Sequence, residues 1–397
     1  MSINKHSTLV GVGLGFSLVY LGMLVSMAYN GFQMDLQVFQ DAGFAIVRGE
    51  PLFDGFHTRS GFAFIYPPFA ALLMAPMSVI GATPLQLAWA AVEAFSVAVT
   101  MYGGLRLARV DKAHAWCWAA CLLGIGLWIE PIRNGLFFGQ VDIVLVALVV
   151  ADLAGMTPRR FRGVLIGIAA GIKITPLAFL LILALRKDVA SILRAIVTLA
   201  ATIVIGFAAR PSDSRLFWTE VVLDTNRAGD KSFFRNQALT GLLSRHGLTP
   251  DTALFVGVWA VLVAIVLIIA LYALVVLTKR GDQLGVLFVF ALLVCTAQPY
   301  AVTHHWAIMS VLVPLVAVQF ARGFEYKWWF VLLLVIQGAG PNWLADPDRG
   351  FSSNPFLSAL GDIQGVTAII ALVCCALLVR RGMVLTPPPQ QPVAATV

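Results

Sequence analysis

The chain has 397 residues, of which 59% are hydrophobic and 12% charged, about half the ~25% charged content of soluble domains. So few polar groups cannot cover a globular surface, which excludes a soluble protein. The apolar runs are continuous and several reach the ~20 residues needed to cross a bilayer. Because these runs do not alternate between polar and apolar residues, a β-barrel is also excluded. We therefore expect an all-α polytopic membrane protein.

The net charge of +7 arises largely from short basic clusters that separate the apolar runs. Basic connections are retained in the cytoplasm, so placing every cluster there orients the whole chain. The clusters have no interleaved aromatic residues suited to stacking on bases, and we expect no nucleic acid partner. The clusters are Arg106, Arg109 and Lys112; Arg159, Arg160 and Arg162; Arg186, Lys187 and Arg194; Lys279 and Arg280; Arg322 and Lys327; Arg380 and Arg381.

Taken in chain order, the apolar runs predict about twelve transmembrane helices, with both termini in the cytoplasm. Residues 1–380 are expected to form a single transmembrane domain, and residues 381–397 a disordered cytoplasmic tail. The predicted helices cover residues 9–29, 84–108, 113–130, 136–156, 189–209 and 253–278, with two short helices around Lys173 and three further helices that end near residues 298, 322 and 340, before a last one that ends at Arg380.

Two long external loops follow from this topology, at residues 30–83 and 210–252. The first is far longer than an ordinary connection between helices, so we expect it to be structured. Its apolar stretch, residues 62–81, is interrupted by three prolines. We expect that stretch to lie along the outer leaflet rather than to span the membrane.

Asp35 lies directly after the first apolar run, at the start of a predicted interfacial helix. Leu36, Phe39, Gly43 and Ile46 or Val47 give that helix an apolar face. A carboxylate held at such a junction could act as a general base. The alternative is a helix N-cap or a solvated loop acid, and spacing alone does not choose between them.

Lys173 lies in the middle of an apolar stretch with basic residues at both ends, three residues before Pro176. One continuous span would bury its charge at about 2.5–3.5 kcal/mol. We therefore expect two short helices that meet at an external tip. At that tip the ammonium could neutralise a lipid phosphate, or it could simply extend to the interface.

His304 and His305 adjoin Trp306 where an external loop enters a helix. Adjacent histidines are expected to point to different faces, and no HxxxH or HExxH spacing is present, so we expect no metal site. A histidine that donates to a phosphate or sugar hydroxyl, with Trp306 as an apolar platform, suits a lipid-linked glycan better. No nucleotide-binding glycine motif is present either.

Other polar side chains on the external side are weaker candidates for substrate binding. Arg133 and Asn134, with the "FGQVD" sequence that follows, are expected to form a short external turn with hydrogen-bond donors. An ordinary loop is the alternative at each of these positions. The further candidates are Tyr66, Gln140, Arg235, Asn236 and Gln237.

Together these segments resemble the GT-C membrane glycosyltransferases, and most closely the bacterial glycosyltransferase family 87, which uses polyprenyl-phosphate mannose. The resemblance extends in the family's order from about residue 30 to residue 306. It rests on the segments "DLQVFQDAGFAIVRGEPLF", "YPPFAALLMAP", "GQVDIVLVAL", "GIAAGIKITPLAF", "RNQALTGLL" and "HHW".

The resemblance implies a GT-C fold and an inverting transfer, with Asp35 as the catalytic base. Lys173, Arg235 and the two histidines would stabilise the leaving lipid phosphate. Because the donor has one phosphate rather than two, no divalent metal or other cofactor is expected. The family often has Asn where this chain has Asp142, so the role of Asp142 is left open.

The expected partners are a polyprenyl-phosphate-mannose donor, a glycolipid acceptor and the bilayer around a monomeric enzyme. The resemblance favours α-1,2 transfer to a phosphatidylinositol mannoside, at the periplasmic face of the inner (plasma) membrane. Transfer of arabinofuranose, or branching of lipomannan, is the alternative. A flippase or transporter would favour inverted repeats and ionisable residues within the helices. We find no repeat, and the main feature that fits the second criterion is Glu93, for which a buried hydrogen-bonded acid is the alternative.

Overall fold

A computed structural model describes residues 2–224, 229–346 and 354–388 of the chain. Within these ranges the protein is helical and contains no β-strand, which confirms the all-α class. The α-helices are α1 (Ser2–Asn30), α2 (Met34–Arg48), α3 (Pro68–Met74), α4 (Ala82–Leu107), α5 (Lys112–Trp128), α6 (Glu130–Phe138), α7 (Asp142–Leu153), α8 (Val164–Ile172), α9 (Leu180–Leu185), α10 (Val189–Ala209), α11 (Pro211–Leu216), α12 (Leu239–Arg245), α13 (Ala253–Lys279), α14 (Gln283–Ala297), α15 (Leu312–Ala321), α16 (Lys327–Ala339), α17 (Pro355–Gly361) and α18 (Ile363–Arg380).

Six of the described helical segments are long and apolar enough to cross a membrane, and seven if one bent pair is counted as a span. Several of the other predicted spans correspond to apolar helices of 10–17 residues. A multi-pass membrane protein is therefore supported, whereas the number of twelve spans stays a prediction. The six segments are Ser7–Asn30, Ala82–Leu107, Val189–Ala209, Ala253–Lys279, Thr303–Ala321 and Ile363–Arg380.

The bent pair is formed by α5 and α6, whose axes differ by 75°. Pro131 lies in the first turn of α6, where proline is tolerated. Gly139 ends α6 in the left-handed conformation, at φ 73°. The predicted external turn is present in its "FGQVD" part, at residues 139–141. Its first part is wrong, because Arg133 and Asn134 lie within this short helix.

The break predicted at Lys173 is present. Helix α8 ends one residue earlier, and Lys173 itself is extended, at φ −147° and ψ 133°. A 3-10 helix, Thr175–Phe179, then leads into α9. Pro176 begins this segment and has no amide hydrogen with which to continue α8. The lysine is thereby placed where two short helices meet.

The described part of the first long loop is packed against the protein. Helix α2 buries Leu36, Phe39 and Gly43 as predicted. Val47 does not belong to this face, because its side chain is 65% exposed at the end of the helix. At Gly43 a Cβ atom would come within 2.4 Å of the Met74 carbonyl oxygen, so glycine lets α2 and α3 approach closely. The Gln40 side-chain amide donates to the carbonyl oxygens of Met77 and Ile80, at 3.1 and 2.8 Å. These residues lie in and directly after the 3-10 helix Ala75–Val79. These contacts hold Asp35 on a fixed helix.

The short basic clusters and the polar candidates lie at opposite ends of the helices. Helix α7 begins at Asp142, among the candidate residues, and ends at Leu153, whose carbonyl oxygen accepts a hydrogen bond from Arg186. Arg322 likewise follows α15 and donates to the carbonyl oxygen of Ala108, just after α4. This separation agrees with the predicted topology, with the basic end inside.

The last described residues are bound to this basic end. The Asp282 carboxylate accepts hydrogen bonds from the amides of Leu385 and Thr386, at 2.7 and 3.0 Å. Leu385 is fully buried, and Arg322 donates to the Pro387 carbonyl oxygen at 2.6 Å. The predicted disordered tail was therefore placed too early, since residues 381–388 are anchored by a buried carboxylate. The remainder, residues 389–397, lies outside the described residues.

Candidate active site

One polar cluster brings together residues that are far apart in the sequence. It lies where the first turn of α2, the turn between α6 and α7, the break after α8 and the 3-10 helix Thr303–Val311 meet. Each of these is an interruption of a helix, where backbone groups and polar side chains can face a cavity. The residues it contains are Asp35, Tyr66, Gln140, Asp142, Lys173, His304 and His305.

Asp35 lies in the first turn of α2 but does not cap that helix. The N-cap position is Gln33, and no side chain makes a capping hydrogen bond there. Burial raises the pKa of Asp35 to about 6; the Gln140 amide opposes this shift, Asp142 adds to it, and Lys173 opposes it. A carboxyl group that titrates near neutral pH is suited to accept a proton during catalysis.

The Gln140 side chain is oriented by Tyr66. The Tyr66 hydroxyl donates a hydrogen bond to Gln140 Oε1 at 3.2 Å, and the Gln140 amide forms a hydrogen bond with Asp35. Burial, followed by the charges of Asp142 and Asp35, raises the pKa of Tyr66 well above its usual value. Tyr66 therefore stays a hydroxyl donor at any ordinary pH.

The turn that presents Gln140 is itself held from two sides. Trp89 Nε1 donates to the Gly139 carbonyl oxygen at 3.0 Å, and Gln33 Nε2 donates to the Leu136 carbonyl oxygen at 2.8 Å. A Cβ atom at Gly139 would come within 2.7 Å of the Leu36 side chain. Glycine at this position thus lets the first turn of α2 pack against the α6–α7 turn.

Lys173 forms a close ion pair with Asp142, with Nζ 2.7 Å from Oδ1. The exposed fractions of the two side chains are 17% and 13%, so Lys173 is paired inside the protein and does not extend to the interface. Both residues, with His305, line a cavity of about 50 Å³. The second carboxylate oxygen of Asp142 has no hydrogen-bond partner among the described residues.

The two histidines face the same cluster. Their ring centroids lie 4.7 Å apart with an interplanar angle of 88°, and His304 Nδ1 is 3.3 Å from Asn134 Oδ1. One potential ligand atom from each histidine and one from Asp142 lie within 4.8 Å of one another. The sequence argument that adjacent histidines point apart is therefore wrong, because the start of this 3-10 helix brings both rings close to Asp142.

A second ion pair, Glu130 with Arg235, was missed by the sequence analysis. The two side chains approach to 3.7 Å, and the Asn342 side chain lies near the Glu130 carboxylate. Asn342 in turn donates to Thr303 Oγ1 at 3.1 Å, directly before the histidines. The sequence signal was an acidic residue placed between an apolar run and Pro131, where an unpaired charge would be costly.

Gly340 allows this pair to form. Its φ of 56° is left-handed, and a Cβ atom there would come within 2.1 Å of Glu130 Cγ. Arg133, the other nearby cation, points away: it donates to the carbonyl oxygens of Trp128 and Gly338, at 3.1 and 3.4 Å. Arg235 rather than Arg133 is thus the cation that faces the histidines.

Asn236 and Gln237 hold the second long loop rather than a substrate. Asn236 Oδ1 accepts from the Ala301 amide at 3.0 Å and Nδ2 donates to the Lys231 carbonyl oxygen at 2.9 Å. Gln237 Nε2 donates to the Gly361 carbonyl oxygen at 3.0 Å. Both side chains are fully buried, which leaves them no free hydrogen-bonding group for a ligand.

Trp306 is also internal. It is fully buried, and its Nε1 donates to the Ala301 carbonyl oxygen at 3.1 Å. It therefore cannot serve as the exposed platform for a sugar that the sequence suggested. Its position fixes the loop that precedes the histidines.

The family model for Glycosyltransferase family 87 matches residues 64–299, a range that includes Tyr66, Gln140, Asp142 and Lys173. The chain belongs to glycosyltransferase family 87. This confirms the resemblance drawn from the sequence and identifies the protein as a glycosyltransferase.

Family 87 relatives include two enzymes named polyprenol-phosphate-mannose-dependent alpha-(1-2)-phosphatidylinositol mannoside mannosyltransferase. The one from Mycolicibacterium smegmatis is 33% identical over 76% of this chain and 73% of the relative. The one from Mycobacterium tuberculosis is 28% identical over the same shares. A phosphatidylinositol pentamannoside mannosyltransferase from M. smegmatis is 28% identical over 80% of this chain and 78% of the relative.

Among solved structures, the chain is similar to ArnT from Cupriavidus metallidurans, which was crystallised bound to undecaprenyl phosphate and in the apo state. For the bound form the TM-score is 0.44 at 14% identity, covering 96% of this chain and 78% of ArnT. The apo form gives a TM-score of 0.43. A likeness this distant assigns no residue or ligand.

Proposed function

We propose that this family 87 enzyme transfers mannose from a polyprenyl-phosphate-mannose donor to a phosphatidylinositol mannoside, forming an α-1,2 linkage with inversion. The names of the relatives support the donor and the acceptor. The observation on which the mechanism rests is Asp35, a carboxylate with a pKa of about 6 beside the Lys173–Asp142 ion pair.

In the proposed reaction, the acceptor hydroxyl attacks the anomeric carbon of a β-linked donor. The new carbon–oxygen bond forms as the hydroxyl proton passes to Asp35. The bond between the anomeric carbon and the phosphate oxygen breaks, and the lipid monophosphate leaves with the bonding electron pair. Membrane anchoring of both lipids raises the frequency with which the reacting groups meet.

Lys173 and Arg235 are proposed to stabilise the charge on the leaving phosphate. Each is already paired with a carboxylate, at 2.7 and 3.7 Å respectively, so each is held in position before the donor arrives. His304 and His305 lie between them and can donate to phosphate or sugar oxygens. Electrostatic stabilisation of this kind needs fixed donors rather than mobile ones.

The proposed reaction uses no divalent metal. The donor carries one phosphate, and Lys173 supplies a cation at the position where a metal bound by Asp142 would lie. The charge of Asp142 is thereby neutralised from within the chain. The ligand-like grouping of Asp142 with the two histidines makes this part of the proposal directly testable.

Gln140 and Tyr66 are proposed to position the base rather than to bind the donor phosphate. The Tyr66 hydroxyl occupies Gln140 Oε1, which leaves the amide nitrogen to face Asp35. A hydrogen bond to the ionised carboxylate favours that form. The pair therefore keeps Asp35 available as a base although it is buried.

The cellular setting is part of the proposal. A multi-pass protein whose short basic clusters lie at one end and whose candidate site lies at the other fits an inner (plasma) membrane enzyme with its site facing the periplasm. We propose that both termini are cytoplasmic and that the enzyme works as a monomer.

The deciding experiment is to incubate the purified protein with polyprenyl-phosphate mannose and phosphatidylinositol mannosides, and to identify the product by mass and linkage analysis. A mannosylated, α-1,2-linked product supports the proposal. Transfer only from decaprenyl-phosphate arabinose, or only to lipomannan, would show that the proposed substrates are wrong while the proposed reaction type is right. Movement of the donor lipid across proteoliposomes without transfer would instead indicate a flippase.

A further inference from the structure

An open groove lies between α16 and α18, away from the catalytic cluster. Its volume is about 390 Å³, within the ~300–1,000 Å³ range of small-molecule sites. Its walls are almost entirely apolar, and both helices expose large hydrophobic residues. The walls are formed by Trp329, Leu333 and Ile336 of α16 and by Ile370, Cys374 and Leu378 of α18.

One end of this groove is closed by a buried polar contact. Gln364 Nε2 donates to Gln337 Oε1 at 3.1 Å, and both side chains are fully buried. This contact joins α18 to α16 at the end of the groove nearer the catalytic cluster, one residue after Ile336 on α16 and three residues before Thr367 on α18. A chain lying in the groove therefore cannot continue toward Lys173 between these two helices.

The other end of the groove is cationic and interfacial. Arg381 lines its mouth beside Tyr326. Arg381 is exposed, and its guanidinium has no hydrogen-bond or ion-pair partner among the residues that the structure describes. Trp328 and Trp329, with exposed fractions of 64% and 69%, belong to the aromatic class enriched at membrane interfaces.

We propose that this groove, between α16 and α18, binds an anionic glycerophospholipid, with an acyl chain along its apolar walls and the phosphate on Arg381. The charge pattern excludes the donor as its occupant, because the donor phosphate belongs at Lys173, at the opposite end of the bundle. A free guanidinium is a strong partner for a phosphate group. The apolar walls offer no hydrogen bonds to a peptide.

The bound lipid would stabilise the wall that holds the second long loop. The Gly365 amide on α18 donates to Gln237 Oε1 at 3.2 Å, and Gln237 lies directly after the segment that carries Arg235. A lipid that holds α18 against α16 therefore stabilises this loop without touching the substrates. This inference is independent of which sugar the enzyme transfers.

Native mass spectrometry of the purified full chain tests the proposal. The wild-type protein is expected to retain about one phosphatidylglycerol or phosphatidylinositol after delipidation, and to prefer either of them to phosphatidylcholine about tenfold, the effect of a single charge-assisted contact. Arg381→Gln should remove that preference. Arg380→Gln is the matched control, since Arg380 is its neighbour but does not line the groove, and it should behave as the wild type.

A second variant tests the apolar walls. Ala371→Trp, on α18 inside the groove, should fill the space and abolish retention of any lipid. Thermal unfolding with added phosphatidylglycerol should then show a stabilisation in the wild type and Arg380→Gln that both groove variants lack. Retention of no phospholipid by the wild type, equal behaviour of both arginine variants, or retention of a polyprenyl phosphate that Ala371→Trp abolishes would overturn the proposal.

Discussion

The Tyr66 hydroxyl donates a hydrogen bond to Gln140 Oε1 at 3.2 Å, and this contact determines which end of the Gln140 amide faces Asp35. Tyr66 comes from the first long loop and Gln140 from the turn after α6, 74 residues further along the chain. A neutral donor pair thus orients a buried carboxylate without adding charge to the site.

This relationship predicts how activity depends on pH. Asp35 accepts a proton only when ionised, so kcat/KM should fall on the acid side with an apparent pKa of about 6. Gln140→Ala removes a hydrogen bond that favours the ionised form, so the pKa rises and the acid limb moves to higher pH. Tyr66→Phe should shift the limb in the same direction by less.

Rates of transfer measured from pH 4 to 9 provide the check. Gln283→Ala, at the opposite end of the bundle, is the matched control and should leave the profile unchanged. An acid limb that stays in place in Gln140→Ala, despite a lower rate, would show that Gln140 binds substrate instead.

Removal of the base should abolish transfer while the protein stays folded. General base catalysis contributes about 10²–10⁴-fold, so Asp35→Asn should lower kcat by that factor with little change in the binding of the donor. Asp54→Asn, an exposed acid of the same loop, is the control. Turnover of Asp35→Asn near that of the control would refute the assignment of the base.

The Lys173–Asp142 ion pair should show coupling between its two residues. Lys173→Met leaves a buried carboxylate unpaired, which costs roughly 3 kcal/mol of stability. Adding Asp142→Asn should restore much of that stability, because no charge is then left alone. The affinity for the donor should stay low in the double variant, since the cation for the phosphate is still missing.

Denaturation curves and equilibrium binding of polyprenyl phosphate separate these two effects. Lys112→Met, which removes an exposed lysine at the other end of the bundle, should change neither quantity. Recovery of donor affinity in the double variant would mean that Lys173 only compensates Asp142 and does not contact the phosphate.

Metal dependence can be tested on the same residues. EDTA should not change the turnover of the wild-type enzyme, and elemental analysis should find no stoichiometric metal. Lys173→Met frees the Asp142 carboxylate, so binding of Zn²⁺ to Asp142 and the two histidines should be detectable in that variant by calorimetry. Loss of wild-type activity in EDTA, with recovery on addition of Mn²⁺ or Zn²⁺, is the contrary result.

Much of the fold was predictable because helices that cross a membrane are determined by local composition. The apolar runs that end near Asn30 and Lys279 can be recognised as membrane-spanning from their length and composition alone. Lys173 could be placed at a break because a charge in mid-span is costly and Pro176 follows it. The end of the span near residue 130 was predicted, but the short helix α6 that follows it was missed, because Arg133 and Asn134 were assigned to a turn.

In the candidate site as well, some residues could be selected from the sequence, whereas the role of others became clear only from the structure. Asp35 was identified from its motif, and Lys173 from its cost of burial, without any knowledge of what surrounds them. Asn236, Gln237 and Trp306 were named as ligand contacts because polar or aromatic residues in a loop can face either a cavity or the protein. Burial and hydrogen bonding decide between those two roles, and neither is visible along the chain.

The sequence by itself determined the membrane class and the approximate ends of the helices, because hydrophobic length and the cost of burying charge are local properties. Asp35 was proposed as the base from the resemblance of its segment to the family. Only the tertiary structure decided the partners: Tyr66 on Gln140, Lys173 on Asp142, and Glu130 on Arg235. These contacts join residues 31 to 105 positions apart. Pairing at such distances depends on how the helices pack, which no local pattern specifies.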